Sequence, residues 1–274
     1  MNRQLILVIL LCITAILIAA SFVYKSVAVR GSEARLREVS EDATEGLRAK
    51  AESYLAEGEY VKAKKTLERF IATSSRDSDK KNARKKIEEI NIKILFSGDL
   101  TENSFLYEIK PGDTLLKIAS QFNTTVELLK KSNSLSSDII FPGKLLKVPQ
   151  AKFSLMIDKS DNTLTLLSNE KPFKAYRVST GENMSTPTGV FYIEEKMIRP
   201  LWYRIGAVVK PESSEYELGS RWMGISEKGY GIHGTSDEST IGRHITKGCV
   251  RMKNSDVEEL YAIVPSGTEV IIRE

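Results

Sequence analysis

Ile232-His233-Gly234-Thr235, followed ten residues later by Thr246-Lys247-Gly248-Cys249-Val250-Arg251-Met252, is the stretch on which the reading of this chain turns. His233 and Cys249 stand sixteen positions apart, too far to share one helix face, so a tertiary fold must bring them together. Cys249 is the only cysteine outside the hydrophobic N-terminus and has no disulfide partner there. A thiol of ordinary pKa is only a few per cent ionised at neutral pH, so an imidazole that takes its proton gives the pair its chemistry. Attack of sulfur on a carbonyl leaves negative charge on oxygen, and the amides of Gly248 and Cys249 are candidates to receive it, with Gly248 letting the chain come close. No acid is placed to orient the imidazole, so the carbonyl of Gly234 is the candidate. Arg251 offers a planar fork of donors suited to a substrate carboxylate.

Working outward, residues 152–274 read as mainly β. Phe153 to Asp158 and Thr163 to Leu167 alternate apolar and polar and are joined by Lys-Ser-Asp-Asn, a hairpin signal. Short strands are expected near Ala175–Ser179, Val190–Glu194, Tyr203–Val208 and Glu269–Arg273, and one helix at Asn254–Ala262, capped by Asn254 or Ser255. A compact sandwich or barrel is expected. Trp202, Trp222, Tyr203 and Tyr230 would line a cleft or pack inside, and receive no site role. His244, the other histidine, reads as a surface-loop residue.

Residues 105–149 form a different unit. Short strands at Tyr107-Glu-Ile109 and Leu145-Leu-Lys-Val148 flank two short helices, with Pro111-Gly112 and Pro142-Gly143 at the turns. Residues 33–96 are rich in Glu, Lys, Arg and Ala and contain no proline. Leu47, Ala51, Tyr54, Leu55, Ala63, Leu67, Phe70 and Ile71 recur at helical spacing, and Gly58 interrupts them as a helix-hairpin turn would. This all-α pair looks like a single tetratricopeptide-type unit, with a third helix near Ser78–Phe96. A docking unit for a protein partner and a charged stalk are both compatible with it.

Residues 1–30 hold an almost unbroken apolar run from Leu5 to Tyr24, with Cys12 inside it. About 19 apolar positions cover roughly 29 Å as a helix, enough to span a bilayer core. A transmembrane anchor is expected, with everything beyond about residue 31 outside the cytoplasm; Ala19-Ala20-Ser21 leaves a cleaved signal open. The net charge of +4, with Lys/Arg and Asp/Glu interleaved, gives no case for nucleic acid.

Residues 105–149 closely resemble a LysM domain, a strand-helix-helix-strand unit. That resemblance implies binding to glycan strands of peptidoglycan, in a groove between Gly112-Asp113-Thr114 and the loop from Ile139 to Gly143. Residues 152–274 strongly resemble the L,D-transpeptidase catalytic domain, also called YkuD. The match lies in Gly229 to Thr235, Ile241-Gly242 and Thr246 to Asn254, with Thr180-Gly181, Thr186 to Phe191 and Leu218 to Met223 in support. Where many members have Ser-His-Gly-Cys, this chain has Thr246-Lys247-Gly248-Cys249, which keeps a hydroxyl and replaces the second histidine by lysine. The resemblance implies acyl transfer on peptidoglycan stem peptides in the bacterial envelope, without metal or organic cofactor. Cys249, His233, Gly234 and Gly248 form the expected catalytic set, and Arg251, Thr235 and Thr246 the expected substrate-binding set. An amine acceptor makes the enzyme a transpeptidase and water makes it an L,D-carboxypeptidase. A non-catalytic wall-binding protein is the alternative from another class.

Overall fold

The computed structural model describes Ser21, residues 43–204 and residues 206–274, which divide into two compact units, 1–84 and 85–274. Apart from Ser21, the expected membrane span and Cys12 lie outside the described residues. Among the described residues no helix is long and apolar enough to cross a membrane.

In the first unit a helix over 43–56 (α1) turns at Gly58 into α2, Tyr60–Thr73, and the unit ends within α3, Asp77–Phe96. The residues at helical spacing are the ones turned inward: Ala51, Ala63, Leu67 and Phe70 are buried, and Leu47, Tyr54, Leu55 and Ile71 are half-buried.

The second unit begins in the same helix. β1, Ser104–Glu108, is followed by α4, Leu115–Gln121, α5, Val126–Ser132, and β2, Leu145–Pro149, which pairs antiparallel with β1 from Ser104↔Pro149 to Glu108↔Leu145. Both short helices start on a threonine whose hydroxyl accepts from the third amide onward: Thr114 from Lys117 at 3.2 Å and Thr125 from Leu128 at 2.8 Å. Ile109, Leu115, Ile118, Leu129, Leu146 and Val148 close a small core.

The remainder is built on one mixed sheet. Its strands are β3, Phe153–Asp158; β4, Thr163–Ser168; β5, Lys171–Arg177; β7, Gly189–Ile198; β10, Arg221–Ile225; β11, Gly231–His233; β13, Val250–Arg251; and β14, Glu269–Arg273. Across the sheet the order is β13-β11-β10-β7-β14-β3-β4-β5. Two-residue strand β6, Thr180–Gly181, pairs with β12, His244–Thr246, and β8, Trp202–Arg204, pairs with β9, Ala207–Val209. Helix α6, Asn254–Ile263, buries Val257, Leu260 and Ile263 in the main core with Leu155, Ile157, Leu164 and Leu166.

Of the expected sandwich or barrel, the structure forms a single curled sheet. Its two edges meet, because just past β5 Ser179 and Arg251 of β13 exchange two main-chain hydrogen bonds of 2.8 Å. The strand expected near Tyr203–Val208 is the β8–β9 ribbon, and β10 and β11 were not expected. Alternation signals a strand with one wet face. β11 is buried at all three of its residues, and β10 at three of five, so neither presents that pattern.

The βααβ portion is fastened to the curled-sheet portion. Leu128 of α5 joins the main core together with Ile92 and Leu95 of α3, and the Thr125 hydroxyl donates to the Ala262 carbonyl. Ser132 donates to the Leu95 carbonyl at 2.8 Å. The Lys147 ammonium, almost wholly buried, donates to the carbonyls of Ile94 at 3.0 Å and Ser97 at 2.7 Å, satisfying acceptors that the end of α3 leaves open. Burial pulls the Lys147 ammonium down to about 8.

Candidate active site

Parallel pairing of β11 with β13 sets the site. Ile232 lies opposite Val250, and His233 opposite Arg251. Side chains alternate along extended chain, so Ile232 and Val250 enter the core while His233, Arg251 and Cys249 share the other face. Cys249 immediately precedes β13, so the two residues separated by sixteen positions in sequence lie at the end of one strand and just ahead of its neighbour. The Cys249 thiol points toward the Gly229 carbonyl, 3.8 Å away, and lies beside the backbone of Gly231.

His233 is 4% exposed, and its Nδ1 stands 2.7 Å from the Gly234 carbonyl oxygen. A carbonyl only accepts, so Nδ1 carries the hydrogen and Nε2 keeps its lone pair. Trp222, opposite His233 in the β10–β11 register, stacks on the imidazole with centroids 5.8 Å apart and planes 24° apart. Burial pulls His233 down to about 4; the Gly234 bond opposes this and the Arg251 charge adds to it. Burial also pushes the Cys249 thiol up from its ordinary value, against opposing pulls from Gly231 and Arg251. The resting pair is therefore a neutral thiol and a neutral imidazole. Neither partner charges readily in this pocket, because both would ionise in poorly solvated surroundings.

Gly248 has φ +120°, and a Cβ there would stand 2.4 Å from the Tyr230 ring and 3.1 Å from the Ser185 carbonyl. Only glycine lets the chain turn there against the 182–186 loop. That loop is held by Lys159, whose buried ammonium donates to Thr186 O at 3.1 Å and to Glu274 Oε1 at 3.2 Å.

The two threonines expected to touch substrate have their hydroxyls committed inside the protein. Thr246 Oγ1 donates to the Cys249 carbonyl at 2.6 Å and accepts from the Gly248 amide at 3.2 Å, bracing the turn that carries the thiol. Thr235 Oγ1 donates to Asp237 O at 3.2 Å and accepts from its amide at 3.1 Å. The Gly248 amide, a candidate for the developing oxyanion, is engaged by that Thr246 contact. Arg251 sits on the reactive face, where its Nη2 donates to Glu217 Oε2 at 3.0 Å.

Three further residues belong to this neighbourhood. Trp222 is one and Glu217 another. The third is Asn254, expected to cap α6; the N-cap position is Lys253, with no side-chain cap, and Asn254 turns the other way. Its Oδ1 accepts from Ser220 N at 2.9 Å and Thr235 N at 3.3 Å, and its Nδ2 donates to Thr235 O at 2.8 Å. One amide thus holds the strand end after His233 to the loop before β10. His244, expected on a loop, belongs to β12. There Thr180 Oγ1 donates to Asn162 Oδ1, and the ring meets Thr180 Oγ1 at 2.9 Å and Asn162 Nδ2 at 3.2 Å.

Two family models match the chain: the L,D-transpeptidase catalytic domain over residues 152–272 and the LysM domain over residues 107–149. A Bacillus subtilis (strain 168) protein carrying the name L,D-transpeptidase YkuD is 37% identical over 175 residues, covering 61% of this chain and 97% of that one. The chain belongs to the L,D-transpeptidase family. A Bacillus licheniformis protein with the same name is 34% identical to this L,D-transpeptidase over 177 residues, covering 61% of this chain and 98% of that one. Among solved structures, an L,D-transpeptidase from Mycobacterium smegmatis superposes on this transpeptidase with a TM-score of 0.40 at 18% identity, over 48% of this chain and 64% of that one.

Proposed function

We propose that Cys249 is the nucleophile of this L,D-transpeptidase and His233 its general base, acting on peptidoglycan tetrapeptide stems in the cell envelope. The observation that carries the reading is the His233 Nδ1–Gly234 O bond of 2.7 Å, which fixes the tautomer with an open Nε2 on the face that Cys249 shares. In the first step the Cys249 S–H gives its proton to Nε2 as sulfur bonds to the carbonyl carbon of the third stem residue. The carbonyl electron pair moves onto oxygen, toward the Cys249 backbone amide, since the Gly248 amide is held by Thr246. Collapse breaks the peptide bond to the terminal D-alanine, whose nitrogen takes the proton back from Nε2, leaving a thioester. An acceptor amine then attacks the thioester carbon, its proton passes through His233, and the thiol is restored.

Arg251 receives a substrate carboxylate in this scheme. Gly234 orients the imidazole and Trp222 supports its plane. Thr235 and Thr246 hold the two strand ends at which His233 and Cys249 sit. The LysM portion keeps the enzyme on glycan strands, raising the local concentration of stems. The run from Leu5 to Tyr24 anchors the chain in the membrane, and the tetratricopeptide-like helices of 33–96 separate the anchor from the enzyme or dock a partner.

The test is incubation of the full chain with purified tetrapeptide muropeptides, followed by mass analysis. Cross-linked dimers and free D-alanine are expected, and both are lost in Cys249→Ala. Tripeptide alone would make water the acceptor and the protein a carboxypeptidase. D-Alanine release that survives Cys249→Ala would refute the nucleophile assignment.

A further inference from the structure

Arg251 already holds a carboxylate, and it is the protein's own. Beyond the Glu217 contact, Nη1 reaches Thr240 Oγ1 only at 3.4 Å, and Nε is buried with no partner among the described residues. A guanidinium presents five donors arranged for two-point capture of a carboxylate. Glu217 takes it at a single point, and donor capacity on the buried side goes unused.

The stem that bears Glu217 is fixed. Tyr216 and Leu218, on either side of it, are buried with Val209 against Trp202 and Trp222, and the Tyr216 hydroxyl donates to Pro200 O at 2.8 Å. Gly219, at φ +64°, is seated so closely that a Cβ would stand 2.3 Å from both Thr235 N and Asn254 Oδ1. With both neighbours facing inward, alternation turns Glu217 out of that small core, where it meets Arg251. The Glu217 side chain is 54% exposed and the Arg251 side chain 12%. A nearly buried cation is paired with a carboxylate that solvent, and a ligand, can reach.

We propose that Glu217 is an internal stand-in for the substrate carboxylate and thereby a specificity-determining residue. A ligand must displace Glu217 to reach Arg251, so the binding-competent state is only part of the population and apparent affinity falls by that fraction. A free carboxylate that meets the guanidinium at two points recovers more than Glu217 gives up at one. A neutral amide does not. The pair therefore selects stem peptides with a free carboxylate over amidated ones. This rests on the reading of Arg251 as the seat of a substrate carboxylate. A stem peptide offers that chemistry from two sources, the terminal D-alanine and a side-chain carboxylate on the diamino acid.

The experiment compares the full chain with Glu217→Gln on three tetrapeptide stems: both carboxylates free, the C-terminal one amidated, and the diamino-acid one amidated. Release of D-alanine or D-alaninamide gives kcat and KM. Glu217→Gln is expected to lower KM by about two- to fivefold, the reach of a half-exposed ion pair, wherever the carboxylate that uses Arg251 is free. The peptide on which that gain disappears identifies the carboxylate. An equal change on all three peptides, or no change on any, overturns the proposal. Wild-type protein that releases nothing, or a Cys249→Ala variant that still does, takes down the nucleophile reading and this inference with it.

Discussion

At Cys249 and His233 the chemistry is set by how poorly their surroundings solvate charge. A thiol pushed up and an imidazole pulled down to about 4 do not exchange a proton at rest, so in the proposed mechanism transfer belongs to the attack itself. Alkylation of Cys249 by iodoacetamide, followed by mass, is expected to accelerate about tenfold per pH unit from pH 6 to beyond 9, without a plateau near neutrality. A plateau beginning near pH 5 to 6 would mean a preformed thiolate–imidazolium pair. The same imidazole shapes acid stability. Its folded value lies below the ordinary 6.5, so between about 6.5 and 4 the unfolded chain binds more protons and stability is lost as pH falls. Full loss is on the order of 3 kcal/mol by linkage. Urea midpoints measured from pH 7 to 4 should drop steeply in the wild type, and His233→Gln should lack that part of the drop. Gly248→Ala has to move the Tyr230 ring and accept a left-handed backbone; it is expected to cut D-alanine release from tetrapeptide stems at least tenfold while the protein stays folded, read by mass and circular dichroism.

At the scale of elements, Asn254 ties α6, the end of β11 and the loop before β10 with three hydrogen bonds from one amide. Asn254→Ala leaves two amides and a carbonyl in need of partners and is expected to cost about 2–4 kcal/mol in chemical denaturation. Asn254→Asp should be no better, because its second oxygen faces the Thr235 carbonyl that Nδ2 served. A near-neutral result for either variant would show that water replaces the brace. Asn254 also marks where sequence reading stops. The hairpin from Phe153 to Ser168, the extent of α6 and the threonine-capped helices were legible, because alternation, helical spacing and turn residues are local signals. The His233, Cys249 and Arg251 cluster was legible from its motif and from the chemistry of a lone thiol. An asparagine ahead of a helix reads locally as a cap, however, and nothing local says it faces two distant loops. The same limit hid the stacking of Trp222 on His233, which depends on β10–β11 register, and the Glu217 pair with Arg251, which spans 34 positions. The hydroxyls of Thr235 and Thr246 read as ligand contacts because a sequence does not show which hydroxyls the turns consume.

Across the whole molecule, the βααβ portion and the curled sheet share one apolar interior through Leu128, which is fully buried. Leu128→Ala is expected to cost about 2–5 kcal/mol and to weaken the enzyme, though it lies in a LysM helix. Urea titrations read by D-alanine release and by circular dichroism should shift together; a shift in the spectroscopic curve alone would mean that the two portions unfold separately. The curled sheet itself works as a hoop, and the Ser179–Arg251 exchange is its clasp. The clasp uses only the main chain of Arg251, so replacing that side chain by Gln should leave the hoop shut. Arg251→Pro deletes the N–H that meets Ser179 and should spring the hoop open beside the thiol. The strand that follows Cys249 is thus clamped from both sides, and on the proposed mechanism little of the chain there has to reorganise when an acyl group arrives.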